Sequence, residues 1–175
     1  AEAAEEWVER EMSQRESETD QYWNDLEPVM QAAKDADVHD NIMEFPHQYA
    51  TVVGERGVTL SGGQKQRTAI ARALLKDADI LILDDALSAV DTDTEARILE
   101  ALKRRRAGKT TILIAHRIST VQNADQILFL ENGICAEHGT HEELLKLDGS
   151  YARLYEQQQL ELQLQAEKEA LHAED

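Results

Sequence analysis

A single cysteine, Cys135, occurs among the 175 residues, so no disulfide can close within the chain and a reducing compartment is expected. Long apolar runs are missing as well. Stretches such as Ile80 to Leu83 and Ile112 to Ala115 fall far short of the ~20 residues that a bilayer-spanning helix needs, so no part of this chain is expected to insert in a membrane. No basic, apolar and small-residue succession of a secretory signal opens the chain. The first residue is Ala1 rather than Met, and a processed, excised or partial product is expected. Cations are scarce: Lys and Arg number 18 against 35 Asp and Glu, for a formal net charge of −17. That balance opposes nonspecific nucleic-acid binding, which needs clustered cations to displace counterions.

The acidity lies at the ends. Residues 1–40 carry 13 acidic and 3 basic side chains, residues 151–175 carry 6 and 2, and the middle is nearly balanced. The one dense basic run, Lys103 to Arg106 (KRRR), reads most simply as a solvated helix end complementing the helix dipole. A hydrophobic fraction of 42% suits one compact domain or part of a larger one.

Along the chain, Pro28 suits a first helical turn, and the pattern predicts a helix over about Glu27 to Asp35 and a shorter one over Val38 to Phe45, stopping before Pro46. Gly54 and Gly57 mark a loop. Ile80 to Leu83 and Thr110 to Ala115 read as buried strands, with an amphipathic helix over Thr94 to Arg104 between them. Strand, helix, strand implies a parallel pair joined by a crossover. Ligands of such sheets bind beyond the carboxyl ends of the strands, where Asp84, Asp85 and His116 fall. A lone strand-end histidine is more often structural; the two aspartates beside it in this reading make it a candidate site residue. Asn132-Gly133 predicts a hairpin between Gln126–Leu130 and Ile134–Ala136, and Thr140 with Glu143 predicts a capping box. A last helix over about Ser150 to Ala170, rich in glutamine, could dock on a partner or project into solvent. Cys135 is expected to pack, and Met30, Met43 and Phe45 to serve the core or a domain contact. The remaining histidines, His39, His47, His138, His141 and His172, lack metal-ligand spacing.

The stretch TLSGGQKQRTAIARALL, Thr59 to Leu75, places Gly62 and Gly63 where a helix should begin. Ser61 and Gln64 fit an N-terminal capping box, which accounts for those two residues but not for the glycines. Each Gly in a helix costs ~1 kcal/mol relative to Ala. Bare backbone at a helix N-terminus admits an anion to free amides, so anion binding is favoured over plain capping.

Together these stretches resemble ABC transporter ATPases over about Gln31 to Tyr155. LSGGQKQR (Leu60 to Arg67) is similar to their signature motif, ILILDDALSAVD (Ile80 to Asp91) to their Walker B segment and D-loop, and His116 in TTILIAHR to their switch histidine. TVVGERG, Thr51 to Gly57, is similar to the loop by which exporter-type members contact their transmembrane domains. The resemblance implies an α/β fold: a partial P-loop NTPase (RecA-like) core with parallel strands and crossover helices, plus part of the helical signature subdomain. It divides the chain into an acidic segment with no assigned structure (1–25), the signature subdomain (26–78), the C-terminal part of the ATPase core (79–138) and C-terminal helices (139–175).

The same resemblance implies ATP and Mg²⁺ as cofactors and a second ATP-binding domain as partner. Leu60, Ser61, Gly62, Gly63 and Gln64, with Ser88 and Asp91, would contact nucleotide across that interface. Asp84 would hold Mg²⁺ through water, while Asp85 and His116 would position the attacking water and γ-phosphate. Thr51, Gly54, Glu55, Arg56 and Gly57 would meet a transmembrane domain at the cytoplasmic face of the cell membrane. A soluble ABC-type ATPase acting on DNA or ribosomes, and a noncatalytic interaction module, are the alternative readings.

Two features depart from the family. The phosphate-cradling GxxxxGK[ST] is missing: Gly108-Lys109-Thr110 imitates its end, but Lys103 occupies the first glycine's place and the triplet precedes a strand, so it reads as a turn. The glutamine loop is not found either. The expectation is a C-terminal piece of a longer polypeptide, inactive alone. Asp85 stands where the family usually has glutamate. One fewer methylene withdraws the carboxylate by ~1.5 Å, and ~1 Å of misplacement can cost roughly 100-fold in rate. The resemblance then implies the impaired site of a heterodimeric exporter.

Overall fold

The computed structural model describes residues 25–54 and 58–173, with side chains to residue 168. It divides into two compact units, Ala1–Ile112 and Leu113–Asp175.

In the first unit, α1 covers 25–35 and α2 His39–Met43, followed by a 3-10 turn at Gln48–Ala50. Then come α3 (Gly62–Lys76), β1 (Ile80–Asp84), α4 (Thr92–Arg105) and the start of β2 (Thr110–Ile114). β1 and β2 are hydrogen-bonded neighbours in a parallel pair, with α4 as the intervening crossover. The strands alternate as their period of two requires: Leu81 and Leu83 are buried, whereas Ile80 and Ile82 are exposed. α4 buries Ile98 and Leu102 of the stripe Ile98, Leu99 and Leu102 read from the sequence, with Ala101 beside them and Leu99 half-buried, and α3 buries Ile70, Ala71 and Leu74.

α1 ends in a Schellman turn: Val38 N–H donates to Ala33 O (2.9 Å) and Asp37 N–H to Lys34 O (3.0 Å), with Asp37 at φ 54°. Glycine would adopt that conformation more easily, but the aspartate has a second task. Its carboxylate receives Arg97 at 2.9 Å and lies 3.7 Å from Arg67, tying α3 and α4 to the end of α1. Asp77, at φ 50° after α3, likewise receives Lys109 at 2.8 Å. Lys109 is thus engaged in a turn, as its sequence context predicts.

The basic run Lys103 to Arg106 is not a simple solvated helix end. Arg104 and Arg105 reach the buried carboxylate of Asp35 at 3.3 and 2.7 Å. Arg106 is itself buried, donating to the carbonyls of Ala78, Asp79 and Thr110 and to the Thr111 hydroxyl at 2.9 to 3.2 Å. Helix dipole complementarity alone misses this because the acceptors come from α1, the turn before β1 and the start of β2.

The second unit contains α5 (Ile118–Val121), the hairpin β3 (Ile127–Glu131) and β4 (Ile134–Gly139), α6 (His141–Lys146) and α7 (Ser150–Ala173). Glu131 pairs with Ile134 across Asn132 and Gly133, at φ 51° and 78°, the positive values a two-residue hairpin turn demands. The Thr140/Glu143 capping box opens α6. Ile118, Ile127, Leu144 and Tyr151 form the core, so the first turns of α7 dock within their own unit. Glu137 accepts the first amides of α7, Ser150 N–H at 2.5 Å and Tyr151 N–H at 3.4 Å, and its carboxylate occupies the space a side chain on Gly149 would need. Cys135, expected to pack, is exposed on β4 because its face of the hairpin has no layer over it among the described residues.

Candidate functional site: a helix terminus locked to the turn after β1

α3 begins as its sequence requires. Ser61, in extended conformation, accepts the Gln64 amide on its Oγ at 3.2 Å, and Gln64 Oε1 accepts the Ser61 amide at 2.9 Å. The amides of Gly62 and Gly63, two of the orphan donors of any helix start, have no acceptor among the described residues. An anion suits that position, where free N–H groups and the positive end of the dipole coincide. Leu60, half-buried, leads into the cap.

The glycines also have a packing reason. A Cβ on Gly63 would stand 2.8 Å from the Ala89 carbonyl oxygen, inside contact distance with rigid backbone, whereas one on Gly62 would meet only the Ala89 Cβ at 3.6 Å. The helix start therefore lies directly against the turn that follows β1.

Gln66, one turn into α3, locks that approach. Its Nε2 donates to Asp85 O (3.2 Å) and Ser88 Oγ (2.9 Å), and its Oε1 accepts the Ala89 amide (2.9 Å). Ser88 Oγ in turn donates to Asp85 O at 3.0 Å. One carboxamide thus uses both donors and its acceptor on a five-residue turn. Sequence reasoning passed over Gln66, since its partners lie 19 to 23 residues away.

Asp84 is the exposed last residue of β1. Asp85 follows in the left-handed region at φ 47°, rare outside glycine, asparagine and aspartate, with its carbonyl held as described and its side chain exposed. Asp91 is the N-cap of α4. Its Oδ1 accepts the Thr94 amide at 3.0 Å, and that backbone hydrogen bond, with the Thr94 side chain adding to it, holds the Asp91 carboxyl below its ordinary value. Ser88 and Asp91 therefore both have partners within this chain.

Thr51 precedes Val52 and Gly54, which Val58 meets through its backbone: its N–H donates to Val52 O at 3.0 Å and its carbonyl accepts from Gly54 N at 3.3 Å. Glu55, Arg56 and Gly57 lie outside the described residues. Thr51 and Val53 also line an apolar groove of about 210 Å³ with Val29, Ile42, Phe45 and Tyr49. His116 belongs to the second unit, exposed, its carbonyl accepting from Gln158 Nε2 at 2.8 Å.

The ABC transporter family profile matches residues 3–88, beginning upstream of the motif-bearing segment. A bacterial Atm1-family ABC exporter solved with ATP bound superposes at a TM-score of 0.70, with 49% identity over 75% of this chain and 23% of that one. The chain belongs to the ABC transporter ATP-binding domain family. The heavy metal tolerance protein of Schizosaccharomyces pombe is 55% identical to this ABC domain over 133 residues, 75% of this chain and 16% of that protein. The mitochondrial potassium channel ATP-binding subunit of Mus musculus is 52% identical over 149 residues, 85% and 21%. The ATP-dependent lipid A-core flippase of Chromohalobacter salexigens is 54% identical over 134 residues, 77% and 23%. This chain spans less than a quarter of the length of these relatives. Among its described residues, no helix is long and apolar enough to cross a membrane.

Proposed function

We propose that this chain completes an ATP site whose phosphate-cradling half lies on a second ATP-binding domain, and that closure of the two domains over ATP drives export through a transmembrane domain. The observation that carries this reading is the start of α3: two glycine amides with no acceptor among the described residues, at a capped helix N-terminus. Leu60, Ser61, Gly62, Gly63 and Gln64 contact the γ-phosphate there, with Ser88 and Asp91 beside the interface. Bound ATP brings its own Mg²⁺, which neutralises charge on the transferring phosphoryl group; the exposed Asp84 carboxylate suits a hard cation held through water. At the parent chain's own site, distinct from the one its signature completes, Asp85 and His116 position the attacking water and the γ-phosphate of a second ATP, and such positioning is most of what phosphoryl transfer requires. No GxxxxGK[ST] occurs in the sequence, so the chain alone does not hydrolyse ATP at ordinary rates.

Asp85, one methylene short of the family's usual glutamate, supports reading this chain as the bearer of a heterodimer's impaired site, while its intact LSGGQ serves the competent site on the partner. The loop Thr51 to Gly57 meets the transmembrane domain at the cytoplasmic face of the membrane. The apolar groove sharing Thr51 and Val53 with that loop supports this role. The deciding experiment is Ser61→Arg in the complete transporter. Its bulk and charge at the phosphate should abolish transport and reduce hydrolysis at the partner's site, and normal transport would overturn the assignment.

A further inference from the structure

We propose that Gln158, on α7, is a positioning residue for His116, so that the C-terminal helix sets where the histidine stands over the γ-phosphate; the catalytic consequence rests on the function proposed above. Gln158 Nε2 donates to His116 O at 2.8 Å and its Oε1 accepts the Ile118 amide at 2.9 Å. One planar group thereby holds the peptide groups on both sides of Arg117. A carboxamide alone among common side chains of this length offers donor and acceptor together; a carboxylate only accepts and an ammonium only donates.

The Ile118 amide is one that needs such a partner. It opens α5, whose N-cap residue Arg117 contributes no side-chain cap, so Gln158 supplies the acceptor that a capping side chain would otherwise provide. α7 is itself firmly seated. Tyr151 is 1% exposed, shares a core with Ile118, and its hydroxyl lies 2.7 Å from His141 Nδ1. Gln158 follows Tyr151 by seven residues, two helical turns, and so faces the same side. The clamp engages the backbone of His116 and leaves its imidazole exposed for substrate. The glutamine-rich stretch of the last helix thus acquires a task within this chain.

The test uses Gln158→Met, which keeps shape and loses both hydrogen bonds, and Gln158→Glu, which keeps the acceptor and sets a carboxylate against the His116 carbonyl. In the complete transporter each should lower single-turnover hydrolysis at this chain's own site about 10-fold with ATP occupancy there changed less than about 2-fold, as expected for a small displacement of a positioned group. In a His116→Ala background neither should lower that site's rate further, because the effect passes through the histidine. An equal further loss in that background, or a wild-type rate at this site in both variants, overturns the proposal. Hydrogen exchange on this chain reads the clamp independently of hydrolysis: the Ile118 amide should exchange at least about 10-fold faster in Gln158→Met while Leu144 is unchanged. An unchanged Ile118 rate overturns the positioning role itself. His116→Ala without effect on hydrolysis would instead remove the histidine from the proposed function, and the exchange rates would still decide whether Gln158 holds the segment.

Discussion

Gly63 and Ala89 stand so close that a Cβ on the first would lie 2.8 Å from the carbonyl oxygen of the second, although 26 positions separate them in sequence. Neighbouring Gly62 has ordinary space, 3.6 Å from the Ala89 Cβ. The two glycines therefore separate by substitution. In the isolated chain, Gly62→Ala should change stability by less than ~1 kcal/mol, since the added methyl meets only ordinary contact and helix propensity gains at most that amount. Gly63→Ala should destabilise by ~1–3 kcal/mol, because the obstacle is backbone that cannot rotate away. Urea denaturation of both variants checks this, and equal stabilities would mean the turn after β1 yields to the extra methyl.

What could be read from the sequence was local. Both capping boxes, Ser61 with Gln64 and Thr140 with Glu143, span three residues, and the Asn132-Gly133 turn spans two; propensity and side-chain reach decide such features. β1 and β2 were legible as apolar runs and α4 by its helical period, but the burial expected of both strands is not met: Ile80, Ile82, Ile112 and Ile114 are exposed. The features that had to be seen in three dimensions join residues far apart: Gln66 to Ala89, Arg106 to Ala78, Gln158 to His116. Nothing in a glutamine's neighbours says which distant peptide its amide will hold. Asp37 and Asp77 carry no signal in the sequence for another reason. Left-handed helix ends favour glycine by conformation, but here each carboxylate or carbonyl also binds a cation from another element, and that contact decides the residue.

Acid should unfold the chain through its caps. Asp91 is held below its ordinary value by the Thr94 amide, Asp77 by the hydrogen bond from Lys109, and Glu143 by the Thr140 amide. In each case the folded state binds its proton less readily than the unfolded chain. The stabilisation is therefore complete above the ordinary carboxylate values of 3.8 and 4.5 and is lost as pH falls through and below them. Asp91→Asn keeps an oxygen for the Thr94 amide but cannot titrate. Its stability should match the parent's more nearly at acid pH than at neutral pH, with a shallower fall between about pH 5 and 3. Parallel acid profiles from urea denaturation would show that Asp91 does not contribute.

Asp85 invites repair. Asp85→Glu in the complete transporter restores the missing methylene, and ~1.5 Å of added reach should raise hydrolysis at this chain's site, making turnover at the two sites more alike. The measurement is single-turnover hydrolysis with occupancy resolved by site. Unchanged turnover together with unchanged occupancy would count against an impaired site on this chain.

Gln66 makes the sharpest distinction between holding a turn and merely filling space. Its amide group donates to Asp85 O and Ser88 Oγ, while its oxygen accepts from Ala89 N. Gln66→Glu keeps the acceptor and loses both donors; Gln66→Ala loses all three contacts. Hydrogen exchange should therefore leave the Ala89 amide protected in Gln66→Glu and expose it in Gln66→Ala, with ~1–2 kcal/mol of local stability lost in the latter. In the complete transporter both should slow single-turnover hydrolysis at this chain's own site by about 10-fold, since either change removes one of the two donors to the Asp85 carbonyl and leaves Ser88 Oγ alone to hold the left-handed turn that aims the Asp85 carboxylate. If Ala89 exchanged alike in both variants, the oxygen of Gln66 would not be its partner in solution. If exchange separated the variants but hydrolysis did not change in either, the turn would be held by Gln66 without the reaction depending on it, and the start of α3 would act on nucleotide independently of the turn after β1.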